Sequence, residues 1–240
     1  MRNTDLDWTN IGDTEPFYGV LANPMFLKEN LSPENLKAFW RAGRLDVNYF
    51  LLLVRQHFGE FTPKTALDFG CGVGRLTRGI AKHVDQVTGV DISPGMLRHA
   101  RRGAPRNAHF VRAIPDEPVD WIVSHIVFQH IPPPRGYALF RQLLDRLAPG
   151  GAFVIQFTLY KDETFLEKSI GPVTRANWDG ETLRTYDQAP HPAGTMLMYD
   201  YDLTHLTCII HDAGINAAHM VHTNHGGCHG VILCGRKPGD

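Results

Sequence analysis

The chain has 240 residues, with 24 basic and 25 acidic side chains, a formal charge of −1 and 43% hydrophobic residues. That length houses one α/β domain with room for a lid, and the balanced charge excludes a global pull toward nucleic acid or anionic membrane. No apolar run is long enough to span a bilayer, Met1–Trp8 has no apolar signal core, and Cys71, Cys208, Cys228 and Cys234 form no CxxC pair, so a reduced cytoplasmic protein with free thiols is expected.

Asp13-Thr14-Glu15-Pro16 reads as a turn, and Phe17–Leu27 as a short aromatic helix. Ser32-Pro33-Glu34 is a strong helix start, with a Ser cap, Pro in the first turn and an acid beside it. Leu36, Phe39, Trp40, Gly43, Val47, Phe50, Leu51, Val54 and Phe58 then recur at helical spacing, and Gly59 and Pro63 end the helix. This predicts one long amphipathic helix docked on a core that begins near residue 63.

The core opens with an apolar strand, Thr65–Phe69, that carries Asp68 near its end. Gly70, Gly72 and Gly74 follow at every second residue, then a helical stretch over Arg75–His83. A strand, a tight glycine turn and a helix start let a nucleotide-like ligand approach the backbone closely. A dinucleotide fingerprint would be G-x-G-x-x-G, but Arg75 stands at its third glycine and Gly74 comes one residue early. Asp68 beside the loop also suits a cation better than a pyrophosphate. About 21 residues after Gly70, a second strand, Gln86–Asp91, ends in an acid placed to hydrogen-bond ribose hydroxyls. Ile92-Ser93-Pro94-Gly95-Met96-Leu97 comes next.

From Ala66 to Thr158 the chain resembles the class I S-adenosylmethionine-dependent methyltransferases. The resemblance implies a doubly wound, mostly parallel seven-stranded α/β sheet of Rossmann-like form, with S-adenosyl-L-methionine as cofactor. It also implies that residues 1–62 form an N-terminal helical lid on a methyltransferase domain spanning 63–240. Tyr18, Trp40, Arg41 and Arg44 then become candidates for the cofactor's methionine end or for substrate. The plainer account is core packing for the two aromatics and solvent for the two arginines.

Strand and helix alternate onward, as a parallel sheet covered on both faces requires. Pro94 opens a helix whose Arg98, Arg101 and Arg102 make a solvated basic stripe. A short strand, Ala108–Val111, follows. Many relatives carry an acid just after it for the adenine amino group. Here Arg112-Ala113-Ile114-Pro115 stands instead, so backbone near Arg112 and Ala113, with apolar walls such as Ile92, is expected to hold adenine. Val119–Ser124 is the next strand, and its carboxyl end faces the point where strand order reverses. Pro132-Pro133-Pro134 precedes a helix over Arg135–Leu147, and Ala148-Pro149-Gly150-Gly151 leads into a strand at Ala152–Thr158. Residues 159–199, rich in turn formers, read as a substrate-cap insertion after strand five. A helix over Asp200–Ala213 and strands at Ile215–Thr223 and Cys228–Arg236, joined by Asn224-His225-Gly226-Gly227, finish the chain.

The expected activity is methyl transfer to an O or N atom of a small molecule, a sugar or secondary metabolite among them. Non-catalytic S-adenosylmethionine binding and, less well supported, a nicotinamide-dependent oxidoreductase are the alternatives. A hydroxyl acceptor needs a general base, and His130, then His125, stand past strand four where the acceptor should sit. The plainer account of each is a loop histidine bonded to backbone. The expected cofactor contacts are Asp68, Gly70, Cys71, Gly72, Gly74, Asp91, Ile92, Met96, Arg112, Ala113, Ser124 and Arg44. Cys71 lacks a neighbour to lower its pKa and reads as packing or a backbone contact. His219, His222, His225 and His229 with Cys228 could suggest zinc, but they alternate across a turn without short cysteine spacing, so no metal is expected. A small-molecule partner, no nucleic acid, no membrane, and a monomer or homodimer complete the expectation.

Overall fold

The computed structural model describes residues 4–162, 164–165, 175–178, 183–186 and 196–239. The central sheet has seven strands in the order β3-β2-β1-β4-β5-β9-β8. They are β1 (Thr65–Phe69), β2 (Gln86–Val90), β3 (Ala108–Val111), β4 (Val119–Ser124), β5 (Leu147–Lys161), β8 (Ala218–His225) and β9 (Cys228–Arg236). β1 through β5 pair in parallel, while β9 runs antiparallel between β5 and β8. The order turns back at β1, so β1 and β4 flank the crevice where doubly wound sheets bind ligands. A separate hairpin pairs β6 (Arg175–Trp178) with β7 (Leu183–Tyr186). The rest of the expected cap at 159–199, its Pro190, Pro192 and Gly194 included, lies mainly outside the described residues.

Local chemistry sets the element ends. The long helix α3 (Pro33–Phe58) starts where the Ser32 side chain accepts from the Asn35 N–H at 3.2 Å, and it stops at Gly59, whose φ is 81°. Its apolar stripe, Val47, Phe50, Leu51 and Val54, packs with Leu76 and Ile80 of the glycine-loop region and with Val154 and Ile232 of the sheet. On the opposite face, α6 (Pro133–Asp145) and α7 (Leu203–Asp212) bury Phe140, Leu143, Leu206 and Ile209 against Phe153, Ile155 and Leu233. Gly226 and Gly227, with φ of 65° and 95°, make the two-residue β8–β9 turn, a conformation that glycine adopts without strain.

The N-terminal region departs from the sequence expectation. Residues Thr4–Thr14 form a helix, α1, where a turn was expected at its end, and α2 (Pro16–Val20) is shorter than the expected Phe17–Leu27 helix. After α2 the chain passes through 3-10 turns at Pro24–Phe26 and Lys28–Asn30. Helix α4 (Thr77–Ile80) is also shorter than expected, because residues 71–76 stay in the glycine turn. α5 (Pro94–Arg101) is capped by Ser93, whose hydroxyl accepts from the Met96 N–H.

Candidate active site

A cavity of about 820 Å³, counting its open mouth, lies over the carboxyl ends of β1, β2 and β4. Its walls come from the glycine turn, the end of β2, the loop after β4, and α1 with α2 above. Gly70, Gly72, Asp91, Ile92, Met96, His125 and His130 of the expected site all line it. Trp8, Val20, Val127 and Arg135 line it as well. Sequence reasoning did not find these four. Trp8 and Val20 lie in a stretch without a helical stripe, and Val127 and Arg135 carry no motif.

The glycines make the cradle. Gly70 and Gly72 have φ of 74° and 53°, and a Cβ on them would stand 2.4 Å from Val127 and 2.5 Å from Val20. Four of the turn's amides, those of Gly70, Cys71, Gly72 and Gly74, are already engaged. The N–H groups of Gly70 and Cys71 donate to the Val90 carbonyl at 2.8 and 2.9 Å, and that of Gly74 donates to Cys71. The Gly72 N–H donates to Asp91 Oδ2 at 2.8 Å, and the Ser93 N–H donates to Asp91 Oδ1 at 2.8 Å. A loop that cradles phosphate points such amides at its ligand. Here they are turned inward, and a carboxylate stands in their place. Each Asp91 oxygen keeps a lone pair beyond its backbone bond, so the group fits a pair of hydroxyls. Burial pushes Asp91 up to about 6, against the backbone bonds from Ser93 and Gly72 that lower it.

Several expected contacts stand elsewhere. Asp68 is buried and accepts from the Thr77 hydroxyl at 2.5 Å. Burial drives it to about 6, and it does not line the cavity. The Thr77 bond ties the strand end to α4. Cys71 packs among Leu97, Ala100 and Phe110, and burial pushes its thiol up. Gly74 faces Phe110, and the Ser124 hydroxyl donates to the Phe69 carbonyl at 2.9 Å, so neither lines the cavity. Arg112 and Ala113 are exposed and outside its walls. Arg44 lines a separate groove between α3 and α4 with Arg41 and Lys82, because its helix position faces away from the glycine turn. Trp40 packs beside Phe39, with the Arg78 guanidinium 4.3 Å over its ring.

Arg75, the residue that breaks the dinucleotide pattern, is only 3% exposed and pairs with Asp46 of α3 at 2.5 Å. It fastens the helix to the glycine turn. Its other terminal nitrogen lies 3.5 Å from His125 Nδ1. Because a guanidinium only donates, His125 Nδ1 must accept, which leaves the proton on Nε2. Burial, then the Arg75 charge, holds His125 near 3, so the ring is neutral and offers an N–H.

His130 is engaged at both nitrogens. Nδ1 lies 2.8 Å from the Leu197 carbonyl and Nε2 lies 3.0 Å from Gln129 Nε2. A carbonyl only accepts and an amide nitrogen only donates, so Nδ1 carries the proton. Burial lowers His130 to about 4 despite the Leu197 bond. The ring also meets Trp8 edge-on at 4.7 Å, which joins α1 to the loop after β4. No group of three or more metal-ligating side chains is found among the described residues. No described helix is long and apolar enough to cross a membrane.

Residues 66–151 match the methyltransferase-domain family. The match shows a methyltransferase domain over these residues, and the sheet order agrees with the Rossmann-like fold of such domains. Among curated relatives, the chain is similar to a trans-aconitate 2-methyltransferase of Rhizobium rhizogenes, 39% identical over 98 residues, which are 38% of this chain and 37% of that protein. A trans-aconitate 2-methyltransferase of Streptomyces coelicolor is 38% identical over 107 residues, 39% of this chain and 34% of that one. The chain thus matches well under half the length of either relative. Its fold is similar to magnesium protoporphyrin IX methyltransferase from Synechocystis PCC 6803 with bound S-adenosylhomocysteine, with a TM-score of 0.65, 17% identity and coverage of 95% of this chain and 97% of that one.

Proposed function

We propose that this chain binds S-adenosyl-L-methionine in the cavity over β1 and β4 and transfers its methyl group to an O or N atom of a small molecule. The observation that supports this most is the inward-turned glycine loop with Asp91 beside it. A nicotinamide dinucleotide would require free amides for its pyrophosphate. S-adenosylmethionine has none to satisfy, and its ribose presents two hydroxyls to a carboxylate.

The bound cofactor supplies a methyl group on a positively charged sulfur with a good leaving group. The chain's own residues position and shield. Asp91 accepts from the ribose hydroxyls, Gly70 and Gly72 let the ligand lie against the backbone, and Ile92 and Met96 give apolar walls. Trp8 and Val20, from α1 and α2, cover the cavity and exclude water. Residues 1–62 act as the lid in this reading, and 159–199 as the cap.

Asp91→Ala removes two charge-assisted contacts and frees the Gly72 and Ser93 amides. Loss of about 3 kcal/mol is expected, or roughly 100-fold in affinity for S-adenosylhomocysteine. Isothermal titration calorimetry on a variant shown folded by circular dichroism checks this. Unchanged affinity would contradict the ribose assignment.

A further inference from the structure

A second cavity, about 760 Å³ with its open mouth, abuts the first. Ile126 lines both, and the His125 ring on one side is 6.4 Å from the His225 ring on the other. Its walls include Phe26 from the N-terminal region, Ile126 and Gln129 after β4, Met198 after the insertion, and His225 and Cys228 of the β8–β9 hairpin. Among the described residues, no carboxylate, lysine or arginine lines it. A highly charged acceptor would find no counter-charge there, whereas a ring with one or two polar groups would find apolar walls and neutral hydrogen-bonding groups.

The titratable groups in and near the two cavities differ in whether they can take a proton. His125 has its accepting nitrogen turned to Arg75 and shows an N–H. His130 is bonded at both nitrogens. Burial pushes the Cys228 thiol up to about 11, so it stays protonated. Lys161 is held by Asp200 at 2.7 Å in a pair where both are almost fully buried. His225 ends β8 just before the turn, and its ring faces the His125 ring. Among the described residues neither ring nitrogen of His225 is hydrogen-bonded, so the unprotonated one can accept.

We propose that the second cavity holds the methyl acceptor, an uncharged hydroxyl-bearing aromatic small molecule, and that His225 is the base that takes its proton. The proposal rests on the methyltransferase reading above. The acceptor oxygen forms a bond to the methyl carbon as that carbon's bond to sulfur breaks. The electron pair of the broken bond stays on sulfur, and the hydroxyl proton passes to a His225 nitrogen. The charge balances: the sulfonium becomes a neutral thioether and His225 becomes an imidazolium.

The test measures S-adenosylhomocysteine formation by the full chain with 4-methoxyphenol, 4-nitrophenol and trans-aconitate as probe acceptors. Cofactor-product affinity is measured on the same preparations. Methylation of the phenols is expected, with His225→Gln lowering kcat about 100-fold or more for 4-methoxyphenol. The loss should be much smaller for the more acidic 4-nitrophenol, and S-adenosylhomocysteine affinity should not change. Met198→Trp, which fills the second cavity, should raise the phenol KM and also spare that affinity. Equal loss on both phenols would make His225 structural and overturn the proposal. So would turnover of trans-aconitate alone, or normal S-adenosylhomocysteine binding with no phenol methylated. A chain that binds no S-adenosylhomocysteine would refute the methyltransferase reading itself, and this proposal with it.

Discussion

Two buried carboxyls decide how the site responds to pH. Asp68 and Asp91 each have a folded pKa of about 6 against an ordinary value of 3.8, raised by burial. A raised acid binds its proton more tightly in the folded state. Its stabilising effect is complete below about pH 4 and is lost as pH rises through about 6. Each group therefore removes about 2–3 kcal/mol of stability across that window. Asp68→Asn keeps an oxygen for the Thr77 hydroxyl and cannot ionise. Urea titrations should show wild-type stability falling between pH 4 and 6 more steeply than that of Asp68→Asn. Parallel slopes would mean that Asp68 is not raised. Ligand affinity runs the other way, since only ionised Asp91 accepts from two hydroxyls with full strength. Binding of S-adenosylhomocysteine should weaken as pH falls through about 6, and Asp91→Asn should flatten that dependence.

At the scale of elements, the glycine turn and the lid depend on one another. A Cβ on Gly72 would meet Val20 of α2 at 2.5 Å, and the residue already has positive φ. Gly72→Ala should cost about 1–2 kcal/mol from backbone conformation alone and displace α2 besides. Chemical denaturation measures the first, and weaker S-adenosylhomocysteine binding reports the second. Strands β1 to β4 were legible in the sequence because each is an apolar run bounded by turn residues. The long helix was legible through its Ser-Pro-Glu start and its apolar stripe. Helix α1 was not legible, because its buried side includes Thr4, Asp7 and Gly12 and only one aliphatic side chain, Ile11. That Asp91, Gly70 and Gly72 share one cavity wall could be read from spacing, since the motif is local. Asp68 sits at the same kind of local position, but it accepts from Thr77 and does not line the cavity. His225 was read only in the hairpin turn and in a dismissed zinc group. Its nearness to His125 comes from β8 reaching β5 through β9, contacts between residues far apart in the chain.

Across the whole molecule, α1 and α2 line the crevice over β1 and β4, and the β8–β9 hairpin lines the second cavity beside it. The Lys161–Asp200 pair joins the end of β5 to the segment that returns from the insertion. Lys161→Met leaves Asp200 buried without a partner, and loss of about 3–5 kcal/mol in unfolding free energy is expected. Lys161→Met combined with Asp200→Leu should recover most of it. Failure to recover would place the role of Lys161 outside the pair. Side-by-side calorimetric titrations of the purified chain with S-adenosylhomocysteine and with NADH distinguish the two ligands that the crevice could hold. Saturable binding of S-adenosylhomocysteine near one per chain, with no heat from NADH, is the predicted result. Binding of NADH with no uptake of S-adenosylhomocysteine would contradict it.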